Sequence, residues 1–129
     1  MPQPILRPAT KADIARATAH LYGQEKAAPV RILAYAGEVD GRVICVGGVA
    51  FYQGGVRIAF CDIDEEGRKY PLSLHRGAKM AMEAAARFGV RRIVVCRDGM
   101  HEKTPRWLAH LGFRQEEVAG GTIYVWSRG

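Results

Sequence analysis

Two short stretches hold most of the side chains able to do chemistry. The first, "CDIDEEG" at 61–67, sets Asp62, Asp64, Glu65 and Glu66 at the end of an apolar run. On a strand, Asp62 and Asp64 point to the same face. A carboxylate beside a substrate amine accepts its proton directly or through water where burial makes it a better base. Asp62, and after it Glu65, are the candidate general bases, and the plainer alternative is a charged turn that follows a strand. The second stretch, "RKYPLSLHR" at 68–76, gathers Arg68, Lys69, His75 and Arg76 about the start of a helix. Unpaired amides and the helix dipole attract anions such as phosphate there. Guanidinium and ammonium groups would add direct contacts, although the same four residues also fit a solvated basic edge. Cys61 has no histidine near it in sequence to activate it and reads as a packed thiol rather than a nucleophile.

The elements that must position these residues follow from local patterns. "ILRPATKADI" gives a short apolar segment and then Thr10 three residues before Asp13, a capping-box pair that starts a helix from about Lys11 to Tyr22. Its apolar face is Ile14, Ala17 and Leu21. Pro29 closes the irregular segment that follows. Three strands come next, "RILAYAGEV", "RVICVGGVAFY" and "VRIAFCDID", joined through Asp40-Gly41 and Gln53-Gly54-Gly55 as an antiparallel meander. From about Leu72 to Phe88, Leu74, Ala78, Ala81, Ala85 and Phe88 form the apolar stripe of an amphipathic helix that Gly89 ends. "RRIVVCR" is a buried strand, expected to pair parallel with the strand before the helix. Thr104 and Pro105 open a short second helix, and "FRQEEV" with "TIYVWSR" closes a hairpin over Ala119-Gly120-Gly121. Trp107 and Trp126 are expected to close the core. The order β-α-β-β-β-α-β-α-β-β predicts an α/β fold, a mixed and mostly antiparallel sheet of six or seven strands with helices on its faces.

Composition narrows the function classes. The 129 residues suit a single domain, residues 1–129, able to bury a core without disulfides or metal. Cys45, Cys61 and Cys96 are an odd, scattered set inside apolar runs, which reads as buried thiols rather than a disulfide framework or a zinc site. No stretch has the length of a signal peptide or a membrane span, so no membrane is expected as partner and a reducing cytoplasm is the default setting. The net charge of +6 suits an acidic or phosphorylated partner. The basic residues are dispersed with no nucleic-acid module, so no nucleic acid is expected.

"ILRPATKADI", "AMEAAARFGVRRIVV" and "WLAHLGF", in that order and spacing, resemble the GNAT superfamily of N-acetyltransferases over essentially the whole chain. The resemblance implies acetyl-CoA as cosubstrate, lying in a V-shaped opening between the fourth and fifth strands. It implies that the backbone of the fourth strand, at Cys61 and Ile63, pairs with the pantetheine arm. The pyrophosphate would sit at the start of the following helix, and an amine acceptor would attack the thioester directly. His20 and Tyr22 fall where relatives border the acceptor, although a surface histidine and a partly packed tyrosine is the plainer reading of the pair.

Two departures stand out against that family. Its strand-to-helix motif of Gln or Arg, two residues, Gly, one residue, then Gly or Ala falls on Lys69, Leu72 and Leu74, so both glycines are missing. Leu72 and Leu74 are expected to put side chains where the family keeps bare backbone, and Pro71 removes one donor. Ser73, His75 and Arg76 complete the expected cofactor-binding set, with the pyrophosphate held by charge in place of glycine. A register using Arg76-Gly77-Ala78 would recover a glycine only by spending two turns of helix. In the last helix the tyrosine that protonates the departing thiolate in active relatives falls at Leu108, and a frequent asparagine falls at His101, still able to hydrogen-bond the pantetheine arm. These departures, with "PRWLAHLGFRQEE", are also similar to divergent GNAT-like proteins of tailed phages. That likeness implies the alternative of a non-catalytic assembly protein, with virion protein contacts or a homodimer as its partners and a virion location.

Overall fold

The computed structural model describes residues 3–18, 29–96 and 104–128. Its elements are β1 (Ile5–Pro8), α1 (Lys11–Thr18), β2 (Arg31–Val39), β3 (Arg42–Phe51), β4 (Arg57–Ile63), α2 (Pro71–Arg87), β5 (Arg92–Cys96), α3 (Thr104–His110), β6 (Arg114–Val118) and β7 (Gly121–Ser127). They follow the order expected from the sequence. The expected extension of α1 through Leu21 and Tyr22 lies outside the described residues.

All seven strands form one sheet in the order β1-β2-β3-β4-β5-β7-β6. Every neighbouring pair is antiparallel except β4 with β5. The parallel pair is the one joined through α2, the crossover expected for β-α-β.

Each helix end has a local cause. The Thr10 hydroxyl accepts from the Asp13 amide at 3.1 Å, and the Asp13 carboxylate accepts from the Thr10 amide at 2.9 Å, which is the reciprocal capping box. Arg7 of β1 donates to the same carboxylate at 2.8 Å and to Glu38 of β2 at 3.3 Å, tying the cap to the sheet. At the other end of α2, the Gly89 amide reaches the Ala86 carbonyl and the Val90 amide reaches the Ala85 carbonyl. Gly112 and Phe113 repeat this on Ala109 and Leu108 after α3. Both are Schellman caps, with Gly89 at φ 83 and Gly112 at φ 96.

α2 and α3 pack on one face of the sheet around Val49, Ala85, Ile93, Leu108, Phe113 and Tyr124, with Trp107 and Trp126 half-buried against this core. α1 packs on the other face, where Ala17 meets Ala36, Val46, Ala50 and Phe60. Two expectations are corrected. Phe88 is 54% exposed because α2 ends at Arg87 and Phe88 stands at its C-cap, where the Arg31 guanidinium covers its ring at 4.2 Å. Cys45 is half-buried, and Cys61 is exposed as a residue although its thiol is desolvated. Among the described residues no helix is long and apolar enough to cross a membrane, and no cluster of His, Cys, Asp or Glu could hold a metal ion.

Candidate active site

β4 is held along its whole length by β3, from Arg57 opposite Phe51 to Ile63 opposite Cys45. Its other edge is different. Among the described residues β4 meets β5 at one register position, Ile58 opposite Val94. Ala59–Ile63 then run on with no described partner on that side. An open strand edge presents unpaired N–H and C=O groups, so the opening is a slot able to bond an extended polar chain. Because side chains alternate, Ala59 and Cys61 lie on the α2 face, in register with Val49 and Gly47. Phe60 and Asp62 lie on the α1 face, in register with Gly48 and Val46. The opening is thus approachable from both faces of the sheet.

The connection from β4 to α2 brings the helix start to this opening. The Asp64 carboxylate accepts from the Gly67 amide at 2.8 Å, the Asp64 amide donates to the Ile44 carbonyl at 3.1 Å, and the Tyr70 amide donates to the Gly67 carbonyl at 3.0 Å. Gly67 is buried where a Cβ would stand 2.6 Å from the Ile44 carbonyl oxygen. This turn sets the donor inventory of the helix tip. The Tyr70 amide is used, Pro71 has none, and the Leu74 amide bonds the Tyr70 carbonyl. Leu72 and Ser73 keep the two amides that an α-helix leaves unpaired. No acidic residue occupies the first turn, and Arg68 and Lys69 directly precede it.

Around this tip the sequence-predicted residues separate. Leu72 is 82% exposed at the tip of α2. It shares the outward stripe of α2 with Arg76, Lys79 and Glu83. Leu74 points inward and lines a cavity, as does the buried Ser73. Lys69 is held by Glu66 at 3.1 Å. Arg68 and Arg76 are exposed, with no ion-pair partner among the described residues, and His75 is half-buried. Gly77 lies inside α2, which rules out the alternative register for the motif. His20, Tyr22 and His101 lie outside the described residues.

The carboxylates also separate. Asp64 is engaged on both oxygens, by the Gly67 amide and by Arg42 at 2.9 Å, so its role is to shape the turn. Asp62 and Glu65 are exposed and make no hydrogen bond among the described residues. Asp62 sits on the α1 side of the opening in a small depression that Asp13, Arg16 and Val46 also line. The burial that the sequence reading asked of a base is not met there; the position beside the opening is. Asp13 itself is committed to the cap, and the Thr10 amide, then Arg7, hold its carboxyl below the usual range.

On the α2 face, Leu108, the position matched by sequence to the family's acid, is 5% exposed and packed in the core. Cys61 reaches solvent, yet its thiol borders an apolar cavity. Desolvation there, then the neighbouring Cys45 and Asp62, push that thiol up to about 12 against the opposite pull of Arg68. It is no nucleophile at neutral pH. Desolvation likewise raises Cys45. The sequence reading missed this cavity and the burial of Ser73. The available signal was the pairing of small residues, Gly47-Gly48 on a central strand against Gly77, Ala78 and Ala81 on the inward stripe of a helix.

No family model matches the chain, and no curated protein matches its sequence. Solved structures match along its whole length. A candidate acyl-CoA N-acyltransferase from Klebsiella pneumoniae superposes with a TM-score of 0.70 at 13% identity, over 96% of this chain and 97% of that one. The ribosomal-protein-S18-alanine N-acetyltransferase of Escherichia coli gives 0.68 at 11% identity, over 96% and 93%. A Bacillus subtilis acetyltransferase solved in complex with CoA gives 0.63 at 11% identity, over 98% and 100%. With its seven strands, its crossover through α2 and its parted β4 and β5, the chain has the GNAT N-acetyltransferase fold in divergent form.

Proposed function

We propose that the protein is an acyl-CoA-dependent N-acyltransferase that moves the acyl group, acetyl in the simplest case, from coenzyme A to an amine by direct attack. The observation that carries this reading is the parting of β4 from β5 after Ile58 and Val94, directly beside a helix tip with two unpaired amides. The open edge of β4, at Cys61 and Ile63, would bond the pantetheine arm. The Leu72 and Ser73 amides, with Arg68 and Arg76, would hold the pyrophosphate.

The acceptor amine would enter from the α1 face and the thioester from the α2 face. The amine nitrogen attacks the thioester carbonyl carbon, a C–N bond forms, and the C–S bond breaks as the tetrahedral intermediate collapses. Asp62 takes the proton lost by the nitrogen, with Glu65 as the second carboxylate in reach of the same side. The leaving thiolate takes its proton from that carboxylate or from water, since Leu108 offers none.

A scaffold role without catalysis is favoured by one observation, the burial of Leu108 at the position matched by sequence to the family's acid. A thermal-shift titration with CoA and acetyl-CoA separates the readings. Ligand at tenfold over Kd stabilises the folded state by about 1.4 kcal/mol, or roughly 5 °C for a chain of this size. An unchanged melting temperature at about millimolar ligand would leave the scaffold reading alone.

A further inference from the structure

The cavity beside the opening has a size and lining that bear on the donor. It measures about 120 Å³ and lies between the first turns of α2 and the sheet. One end is at the parted strands, against Cys61 of β4, Val95 of β5 and Trp107 of α3. From there it passes beneath Gly77 and Ala78 of α2 and ends at Tyr35 of β2 and Leu6 of β1. Two inter-strand steps separate β4 from β2, so the space extends roughly 10 Å sideways from the slot. An acetyl group at the slot would leave most of it empty.

The cavity is walled mainly by apolar and small side chains, so a complementary occupant is an apolar chain entering from the slot. The acyl chain of a thioester held at the slot has that form. An apolar cavity of about 150 Å³ takes up benzene, and on that scale this one holds about four to six carbons.

Resting on the acyltransferase reading above, we infer that the preferred donor carries an acyl chain of about four to six carbons, lodged beneath α2 with its thioester at the parted strands beside Cys61. The test is calorimetric titration of the intact protein with CoA and with acetyl-, butyryl-, hexanoyl- and palmitoyl-CoA. Burial of one methylene tightens binding about fourfold, so butyryl- or hexanoyl-CoA is expected to bind at least about tenfold more tightly than acetyl-CoA, with no further gain for palmitoyl. Binding of CoA and acetyl-CoA with no gain at four or six carbons overturns the inference and leaves the acyltransferase reading in place. Binding of none overturns both. The Ala78→Leu variant, checked for cooperative unfolding, should bring the hexanoyl-to-acetyl affinity ratio close to one. A ratio that stays at its wild-type value would put the chain outside the cavity and overturn the inference.

Discussion

If α2 grips a pyrophosphate by charge in place of glycine, the basic residues near its tip should differ in weight in a way their sequence positions do not show. Arg76 is exposed on the outward stripe of the helix, four residues after Leu72, with no acidic partner among the described residues. Helical side chains lean toward the N-terminus, so its guanidinium is directed at the Leu72 and Ser73 amides. Lys69 is already within 3.1 Å of Glu66, with side chains 61% and 33% exposed. Such exposed pairs are worth about 0.2–1 kcal/mol, and a lysine so held adds little to a phosphate unless released. Taking about 1 kcal/mol for an exposed guanidinium on phosphate, Arg76→Ala should raise the Kd for CoA about fivefold. Glu66→Gln should act in the opposite direction, because it frees Lys69 and removes a like charge from the phosphate, and should lower the Kd two- to threefold on the same scale. Calorimetry at about 0.1 M and about 1 M salt checks the origin, since the screening length falls from roughly 10 Å to roughly 3 Å and both effects should shrink together. A Kd within twofold of wild type for Arg76→Ala, or weaker binding for Glu66→Gln, would refute charge compensation at this tip.

Further outcomes follow from the same geometry. Leu72→Ala should change CoA affinity by less than about twofold, because the side chain lies in solvent and removes little apolar area from water. Thr10→Ala should cost about 1 kcal/mol, or roughly 4 °C in melting temperature, through loss of the cap. Asp13 binds its proton less readily folded than unfolded. Its stabilisation is therefore full above the ordinary carboxylate value of about 3.9 and is lost as the pH falls through its depressed folded value, so the stability gap between wild type and Asp13→Asn should narrow between pH 7 and about pH 3. Gly77→Ala should stabilise the protein by about 0.5–1 kcal/mol, since the new methyl would meet only Leu6 at 3.4 Å and α2 loses a helix-weakening glycine. Cys61, despite its exposure, should be alkylated by iodoacetamide at pH 7 far more slowly than a free thiol of pKa about 8.5, as read by mass spectrometry.

The fold was legible because its punctuation is local. "ATKAD" closes on itself as a capping box, and "RFGV" and "HLGF" are the same Schellman cap written twice, each with an apolar residue after the glycine that packs back on the helix. Those phrases carried the resemblance, and they have a mechanical meaning that needs no relative to explain it. The site was legible in place but not in detail. The opening beside β4 could be expected from element order, whereas the separation of Asp62 from Asp64 depends on which carboxylate the Gly67 amide and Arg42 engage. The exposure of Leu72 has a related cause. Its facing is set by the phase of α2, and Leu72 falls in step with Arg76, Lys79 and Glu83 rather than with Ser73, Gly77 and Ala81. Phe88 continues the apolar stripe by periodicity, but periodicity does not show that the helix ends one residue before it.

The cavity connects stability to the site. Apolar side chains that line unfilled space lose packing contacts, so the open space beneath α2 lowers stability relative to a filled core. Larger side chains at Gly47 or Ala78 would recover some of it. A Cβ at Gly47, however, would stand 3.2 Å from the Phe60 carbonyl oxygen and 3.3 Å from the Cys61 sulfur, on the stretch of β4 that has left β5. A larger residue at Ala78 would fill the space from the α2 side. The small residues therefore keep the space beneath α2 open at the expense of packing. A ligand that fills the space would restore the lost contacts while using the amides, which couples occupancy of the cavity to the position of the helix that would hold the ligand's phosphates.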